Sequence, residues 1–406
     1  MYRKKSLLVF GIALFLLILG TDSTQSLPFE DEAQWHWTFG DSSGLDSLPN
    51  SRPLIIAHRG ASGMFPEHTM MAYEEAIYQG ADLVECDIVV TKDLQLVCSH
   101  EAWIDAVSNV NNSTSEPQHE DFTNRITTYI MDDDDPNMNW NDHGPIKDYF
   151  TYDFTLDELI TLRRKQVRTY RDPSYNWKQT FVTFEEYLDM CKENNIGIYP
   201  EIKLGAATNK ILRDRNHNVT IEELVLAALD KTGYNKASDP CFVQTFELST
   251  IKKLNELKTN LRTIFLFHAN RTSDEDLQMY KDLGVYGLGL DKDLLVIKDD
   301  KNHISLLNED LVHRIHALGM DVHVYTFRNE WNHLNWDYGQ DPYMEYETFL
   351  DMGIDGYFTD FPASLRNFFT FKELQYAKNS GLVSQPMEKT YAFLCVLSVI
   401  ICNWKQ

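Results

Sequence analysis

The chain has 406 residues, and its 37 Lys and Arg against 61 Asp and Glu give a formal net charge of −24. A surface this acidic repels polyphosphates, so nucleic acid is excluded as an expected partner. With 43% hydrophobic and 24% charged residues, the composition is that of a globular protein and excludes disorder throughout. Six cysteines are too few for a disulfide scaffold, although one or two bonded pairs would fit an oxidising compartment.

The first residues have the order of a secretory signal peptide. Arg3, Lys4 and Lys5 precede the apolar run 6–20, and small and polar residues follow it. We predict a signal peptide over residues 1–26, cleaved in the stretch from Gly20 to Ser26, and an N-terminal segment over 27–52. The alternative is an uncleaved anchor, but the run of about fifteen apolar residues is short of the roughly twenty that a bilayer span needs.

The other end of the chain is also apolar. Residues 391–402 are uncharged and hydrophobic, and a polar spacer over 371–390 with a small-residue cluster at 379–381 precedes them. This order predicts a GPI-attachment signal in the tail 391–406 and hence membrane attachment of a secreted, cell-surface protein. Because the final residues NWKQ are polar, a short tail anchor and a buried C-terminal helix stay open as alternatives. Four Asn-x-Ser/Thr triplets are expected glycosylation sites of a secreted chain: Asn111, Asn112, Asn218 and Asn270.

Between the ends, apolar runs typical of strands alternate with helical patterns, which predicts a parallel α/β sheet. Excluding a hairpin arm over 91–98, eight strands are predicted: 54–57, 81–90, 196–203, 241–246, 261–267, 285–290, 320–327 and 354–359. Helices are expected over 69–80, 184–193, 221–231, 249–257, 274–283, 308–318 and 346–352. Eight strand-helix units fit a TIM (β/α)8 barrel over 53–370, with the acidic stretch 103–155 as an insertion after the second strand. Two doubly wound domains are the alternative.

Residues that carry chemistry follow the predicted strands, where barrel enzymes build their active sites. Glu85 and Asp87 end the second strand on one face, since side chains alternate along a strand, and Glu201 ends the third. Buried carboxylates are costly unless they hold a cation, so the three predict an oxygen site for Ca²⁺ or Mg²⁺. For one such pair alone, a salt bridge would be the simpler interpretation.

Basic residues and histidines accompany these carboxylates. Arg59 offers a planar fork and Lys203 a point charge for phosphate oxygens. His58, at the end of the first strand, and His100, after the hairpin arm, titrate near neutral pH and suit proton transfer. Together they indicate a phosphate-ester site.

At these residues the sequence resembles a known family. The stretch PLIIAHRGASGMFPEHTMMAYEEAIYQGADLVECDIVVTKDLQLVCSHE is similar to the opening of the glycerophosphodiester phosphodiesterase family, and YPEIK, VQTF, VHVYTFRNE and GIDGYFTDFP resemble its later blocks. The similarity runs from about Pro53 to Phe369 and is closest to the secreted, larger-insert branch of bacterial periplasms and plants.

The resemblance implies a TIM-barrel, metal-dependent hydrolase that cleaves small glycerophosphodiesters, such as glycerophosphocholine, to glycerol 3-phosphate and an alcohol. In the family's usual route the neighbouring glycerol hydroxyl attacks phosphorus, and water then opens the cyclic phosphate. Ca²⁺ is expected rather than Mg²⁺, because calcium is abundant outside cells; oligomeric state is left open. The implied roles are acid and base for His58 and His100; metal ligands for Glu85, Asp87 and Glu201; phosphate contacts for Arg59 and Lys203; and supporting or substrate contacts for Glu67, Gln244, Phe246 and Tyr325.

Two local features depart from or add to this pattern. The family usually has Asn where this chain has His68, so we expect Thr69 to cap the following helix instead. Cys86 and Cys98 fall on adjacent strands of the predicted hairpin, where a disulfide is geometrically allowed. Packing of Cys86 under a helix is the preferred interpretation. For Tyr325, a role in the core is as well supported as one facing glycerol.

Two other functions remain as alternatives. A lysophospholipase D acting on lysolipids or sphingolipids would use the same site with an added apolar channel, which the insertion 103–155 could provide. A surface lipid-binding protein without catalysis is disfavoured, because it would have no need of intact histidine, carboxylate and phosphate sets.

Overall fold

In the computed structural model, the described part of the chain folds around a closed barrel of eight parallel strands. The structure describes residues 52–111, 119–131, 144–267 and 271–379. The predicted signal peptide, the C-terminal tail, Asn112 and Asn270 lie outside these residues. No helix within the described ranges has both the length and the apolar character needed to cross a membrane.

Each predicted strand overlaps an observed one. The strands are β1 (Leu54–Ala57), β2 (Leu83–Val90), β3 (Leu96–Cys98), β4 (Thr127–Ile130), β5 (Pro145–Asp148), β6 (Gly197–Ile202), β7 (Phe242–Thr245), β8 (Arg262–Phe267), β9 (Gly287–Asp291), β10 (Val296–Lys298), β11 (Ile304–Leu307), β12 (Asp321–Phe327) and β13 (Gly356–Thr359). The barrel order is β1-β13-β12-β9-β8-β7-β6-β2, and pairing of β1 with β2 closes it. The predicted TIM barrel is confirmed, and the alternative of two doubly wound domains is wrong.

Helices cover the outside of this barrel. They are α1 (Met70–Tyr78), α2 (Leu156–Leu159), α3 (Phe184–Glu193), α4 (Gly205–Asp214), α5 (Ile221–Thr232), α6 (Leu248–Glu256), α7 (Asp274–Asp282), α8 (Glu309–Ala317), α9 (Pro342–Asp351) and α10 (Pro362–Asn379). Helices α2, α4 and α10 are absent from the sequence predictions. Helix α4 gives no start signal, because its cap Leu204 is left-handed and provides no side-chain hydrogen bond. The predicted polar spacer begins inside α10.

Threonine caps begin several of the predicted helices. Thr183 and Thr220 each accept a hydrogen bond from the third helical residue, a glutamate whose side chain bonds back to the cap. Thr69 accepts from the N–H of Ala72, which confirms it as the cap of α1. Each such cap stabilises its helix by about 1 kcal/mol.

The described parts of the acidic insertion contain regular structure that was not predicted from the sequence. Strands β4 and β5 form an antiparallel hairpin within it, and aromatic rings pack behind them. The Tyr129 ring centroid lies 4.8 Å from that of Phe150, and Phe122 and Phe154 are 5.1 Å apart. A second hairpin, formed by β10 and β11, was not predicted. It follows barrel strand β9 in the chain.

Cys86 and Cys98 are joined by a disulfide, and both residues are fully buried. The prediction that Cys86 packs without bonding Cys98 is therefore wrong. Strand β3 pairs antiparallel with β2 so that Cys98 lies opposite Ile88, which brings the two Cα atoms to 5.8 Å. Cys191 and Cys241 are buried and free.

Candidate active site

A cavity of about 460 Å³ opens at the carboxyl ends of the barrel strands. Of the predicted site residues, the cavity is lined by His58, Arg59, Glu85, His100, Glu201, Lys203, Gln244, Phe246 and Tyr325. The remaining two, Glu67 and Asp87, form ion pairs with Arg59. The fold thus brings together every catalytic, metal and substrate position expected from the sequence.

Three carboxylates converge at the base of this cavity. One oxygen from each of Glu85, Asp87 and Glu201 lies within 4.8 Å of the other two, and all three residues are buried. Asp87 and Glu201 are register partners on β2 and β6, which sends their side chains to the same side. Alternation along β2 brings Glu85 to that side as well. This group of three is called the acidic triad below.

The electrostatics of the acidic triad are those of a cation site. Burial raises the pKa of Glu85 well above its usual range, and the charge of Asp87 adds to the effect. Burial also raises the pKa of Glu201 to about 8, against the opposing charge of Lys203. For Asp87, burial is outweighed by the charges of Lys203 and His100 and by the hydrogen bond from His68, which hold its pKa well below the ordinary value. A cation bound among them would counter both the burial of the charges and their mutual repulsion, and would so lower the pKa values of Glu85 and Glu201.

The donor chemistry fits a hard divalent ion. All three ligands are carboxylate oxygens, which Ca²⁺ and Mg²⁺ prefer. Gln244 lies next to them, with its Nε2 3.5 Å from Glu85 Oε1. Its Oε1 is buried and has no hydrogen-bond partner within the part of the chain that the structure describes. A fourth oxygen is therefore free to meet an ion at the acidic triad.

Two cations stand beside the acidic triad. Arg59 has a left-handed backbone with φ of 60°, and its N–H donates to Glu85 Oε2 at 2.7 Å. Its guanidinium bonds Glu67 at 3.0 Å. Lys203 Nζ lies 2.9 Å from Glu201 Oε1 and 3.7 Å from Asp87 Oδ1. Both side chains line the cavity, so both can contact a phosphate group placed there.

His58 is hydrogen-bonded to a carboxylate that was not among the site residues predicted from the sequence. Its Nδ1 lies 2.7 Å from Oδ1 of Asp360, the residue that directly follows β13. Asp360 also accepts from Arg171 at 2.6 Å and from Arg328 at 2.9 Å. Burial and the charge of Arg59 lower the pKa of His58 to about 4. The neutral ring with its Nδ1 hydrogen on Asp360 presents Nε2 as a proton acceptor. The position of Asp360 directly after a predicted strand is a signal in the sequence that could have identified it.

His100 also has an acidic partner missed in the sequence, its neighbour Glu101. The Nδ1 of His100 lies 2.6 Å from Glu101 Oε1, and both residues line the cavity. Burial lowers the pKa of His100 well below its ordinary value, and the charges of Arg59 and Lys203 add to this. Burial raises the pKa of Glu101 to about 7. The pair can therefore carry an exchangeable proton near neutral pH.

An aromatic wall faces the charged side of the cavity. The Phe246 and Tyr325 rings meet edge to face with centroids 6.0 Å apart, and the Tyr325 hydroxyl donates to the Phe267 carbonyl. The Tyr325 ring thus lines the cavity, while its hydroxyl is hydrogen-bonded within the barrel. Tyr325 therefore combines a position in the core with one that faces the site.

The outer wall comes from the end of β9 and the turn that follows it, the unpredicted hairpin β10–β11, and the loop after β12. This part of the lining consists of Asp291, Lys292, Asp293, Lys298, Asn302, Arg328, Asn332 and His333. None of the described residues of the insertion 103–155 lines the cavity. Among the described residues, the cavity lining is therefore provided by other segments of the chain.

Residues 58–364 match the model of the Glycerophosphoryl diester phosphodiesterase family. The chain belongs to this family. It is 35% identical over 344 residues to glycerophosphodiester phosphodiesterase GDPD6 of Arabidopsis thaliana, covering 79% of this chain and 87% of that protein. A Haemophilus influenzae glycerophosphodiester phosphodiesterase is 25% identical over 370 residues, which cover 80% of this chain and 92% of the bacterial one.

Solved structures of this phosphodiesterase family share the fold. An Oleispira antarctica phosphodiesterase in complex with the product sn-glycerol-3-phosphate superposes with a TM-score of 0.52 at 18% identity, over 78% of this chain and 97% of that one. A glycerophosphodiester phosphodiesterase from Agrobacterium tumefaciens gives 0.51 at 15% identity, over 77% and 98%. The barrel is therefore the fold common to these phosphodiesterases.

Proposed function

We propose that this protein hydrolyses glycerophosphodiesters to glycerol 3-phosphate and an alcohol. The observation that carries the proposal is the convergence, in one cavity, of the acidic triad with Arg59, Lys203 and the His58–Asp360 pair. Family membership gives this set its reaction class, because phosphodiester cleavage needs charge neutralisation at phosphorus and two proton transfers.

Different residues of the site would bind the metal, the phosphate and the glycerol. Glu85, Asp87 and Glu201 would hold a divalent cation, which when bound neutralises negative charge on the phosphate oxygens. Arg59 and Lys203 bind the remaining phosphate oxygens and orient the diester. Phe246 and Tyr325 form the apolar wall on which the glycerol carbons lie, and Gln244 contributes a polar contact beside the acidic triad.

Proton transfer uses the two histidines in opposite senses. His58 Nε2 takes the proton of the glycerol hydroxyl next to the ester as that oxygen bonds to phosphorus. The His100–Glu101 pair gives its proton to the leaving alcohol as the original P–O bond breaks, producing a cyclic phosphate. In the second step His100 takes a proton from water as the water oxygen bonds to phosphorus. The ring P–O bond to the glycerol oxygen that attacked first then breaks, and His58 returns its proton to that oxygen. The pair is suited to this role because the pKa of Glu101 is raised to about 7.

We infer that Ca²⁺ is the ion at the acidic triad. Three carboxylates also suit Mg²⁺, but Mg²⁺ demands a stricter octahedral geometry, and extracellular calcium is abundant. The Cys86–Cys98 disulfide supports secretion, because such bonds persist in oxidising compartments. Asn218 is exposed between α4 and α5, and Asn111 is half-buried, so the former is the more accessible glycosylation site. Lipid attachment through the C-terminal tail remains part of the same proposal.

A lysophospholipase D activity is the second candidate, and exposed apolar residues near the cavity favour it. Trp331 is 68% exposed and is followed by Asn332, which lines the cavity. Leu306 is 55% exposed on the hairpin β10–β11 that forms the outer wall. An acyl chain leaving the cavity here would meet apolar surface. A lipid-binding protein without catalysis is disfavoured, because the histidine, carboxylate and phosphate sets are all assembled.

The test uses protein secreted from cells that express the full chain. Release of glycerol 3-phosphate from glycerophosphocholine is compared with headgroup release from lysophosphatidylcholine, with and without chelator, beside a Glu85→Ala/Asp87→Ala variant. Chelator-sensitive turnover that is lost in the variant and faster on the water-soluble diester supports the proposal. Faster turnover of the lysolipid moves the protein to the second candidate, and no turnover of either with Ca²⁺, Mg²⁺ or Mn²⁺ contradicts both.

A further inference from the structure

His68 is completely buried beside the acidic triad, and both of its ring nitrogens are hydrogen-bonded. Nε2 lies 2.8 Å from Asp87 Oδ2, and Nδ1 lies 2.9 Å from the Tyr73 hydroxyl. The backbone is also fixed, because the N–H of His68 donates to the carbonyl of Arg59 and its φ of 56° is left-handed. Hydrogen bonds therefore fix both ring nitrogens of His68 and its backbone N–H.

These partners define one tautomer. An ionised Asp87 can only accept a hydrogen bond, so the hydrogen of a neutral His68 ring must be on Nε2. The lone pair left on Nδ1 is then filled by the hydroxyl of Tyr73, which donates. The Tyr73 ring is itself anchored 5.1 Å from Tyr187, whose hydroxyl donates to the Val84 carbonyl on β2 at 2.6 Å. A relay of side chains thus runs from helices α1 and α3 to the strand that carries the ligands.

The relay distinguishes the two oxygens of Asp87. Oδ2 receives His68 at 2.8 Å and faces Arg59 Nε at 3.4 Å. Oδ1 lies 3.7 Å from Lys203 Nζ, too far for a strong bond, and is the oxygen left for an ion. Rotation of the carboxylate would break the bond to His68.

We propose that His68 is a positioning residue that holds Asp87 in the rotamer required for metal binding, with Tyr73 setting the tautomer of His68. The inference rests on the proposed use of the acidic triad as a metal site, but not on the choice of substrate. It assigns a role to the one position where the opening motif of this chain departs from the family, since an Asn there is too short to reach the place of Nε2.

A second buried histidine provides a matched control. His323 is also fully buried, and its Nδ1 lies 2.6 Å from the Tyr199 hydroxyl. Its hydrogen-bond partner is a tyrosine and not a carboxylate of the acidic triad. Replacing it disturbs a similar histidine–tyrosine pair without touching Asp87.

The experiment measures Mn²⁺ binding by electron paramagnetic resonance on the full secreted protein after chelator treatment. The variants are His68→Phe, His68→Asn, His68→Gln and the control His323→Phe. We expect His68→Phe and His68→Asn to weaken Mn²⁺ binding by about 10- to 100-fold. His68→Gln should stay within a few-fold of the parent, because its amide nitrogen reaches the place of Nε2. His323→Phe should lower the melting temperature and leave Mn²⁺ affinity unchanged.

The kinetic counterpart separates positioning from catalysis. At saturating Mn²⁺, kcat of His68→Phe should approach that of the parent, because the loss lies in metal affinity. Equal loss in the Phe and Gln variants, an unchanged affinity in all three, or an equal loss in His323→Phe would overturn the inference. Parent protein that binds no Mn²⁺ would overturn it together with the metal site, whereas normal binding without diester hydrolysis would contradict only the proposed substrate.

Discussion

Nδ1 of His58 lies 2.7 Å from Oδ1 of Asp360, although the two residues are 302 positions apart in the chain. They meet because β1 and β13 are parallel neighbours in register, so the residues that follow each strand face one another across the barrel closure. The pair gives His58 a fixed ring orientation and a fixed tautomer, and closure of the barrel is therefore what assembles the proposed base.

Replacing Asp360 by Asn should disable this base. The amide can donate to Nδ1 and so favours the tautomer with hydrogen on Nε2, which cannot accept the substrate proton. We expect kcat on glycerophosphocholine to fall by about 10²- to 10⁴-fold, the range that general base catalysis contributes. The substitution also removes the ion pairs of Asp360 with Arg171 and Arg328. The melting of the variant must therefore be followed by circular dichroism beside the kinetics. A kcat within threefold of the parent would show that His58 does not depend on Asp360.

Removal of the metal should destabilise the protein, and removal of the carboxylates should abolish that effect. A ligand present at about 100 times its dissociation constant stabilises the native state by about 2.7 kcal/mol, so Ca²⁺ should raise the melting temperature and a chelator should lower it. A Glu85→Gln/Glu201→Gln variant lacks two of the three carboxylates of the acidic triad. We expect this variant to melt at the same temperature with and without Ca²⁺. A Ca²⁺-dependent shift that persists in the variant would place the binding site elsewhere.

The Cys86–Cys98 disulfide should contribute measurably to stability. It closes a short loop with a sequence separation of 12, and the chain-entropy relation gives about 3 kcal/mol for a loop of this size. A Cys86→Ala/Cys98→Ala variant should therefore unfold at lower urea, and reductant should destabilise the parent but not this variant. The matched control is Cys191→Ala/Cys241→Ala, which removes two buried free thiols and keeps the reductant sensitivity. A parent whose urea midpoint ignores strong reductant would contradict the prediction.

His323 should make the protein sensitive to mild acid. Burial lowers its pKa from 6.5 to about 4, so between these values the unfolded chain binds a proton that the native state does not. Stability contributed by the neutral ring is thus fully present above pH 6.5 and is lost as the pH falls towards 4. The shift corresponds to about 3 kcal/mol.

The measurement is the free energy of urea unfolding at pH 7, 5.5 and 4.5 for the parent and for His323→Gln. The variant should be less stable at pH 7 but lose less stability on acidification. Parallel pH profiles for the parent and His323→Gln would show that His323 is not the group responsible.

The barrel could be predicted because its signals are local. Buried parallel strands such as β2, whose eight residues are all buried, give continuous apolar runs that need no partner to be recognised. Two-residue alternation along the second strand likewise predicts Glu85 and Asp87 on one face. The family resemblance added the roles of His58 and His100, which the chemistry of a lone histidine does not specify.

Other features depend on contacts between distant segments, which no local pattern specifies. Asp360 became a partner of His58 only through the pairing of β1 with β13, and His68 became a partner of Asp87 only because α1 packs on β2. The disulfide depended on the register of β3, and the outer cavity wall on a hairpin, β10–β11, whose short strands have no clear period. The sequence by itself thus determined the elements, the barrel class and the main site residues, since these follow from periodicity and motif. Which side chains support them was decided by the closed barrel, because hydrogen bonds and ion pairs need distances that only strand register and helix packing establish.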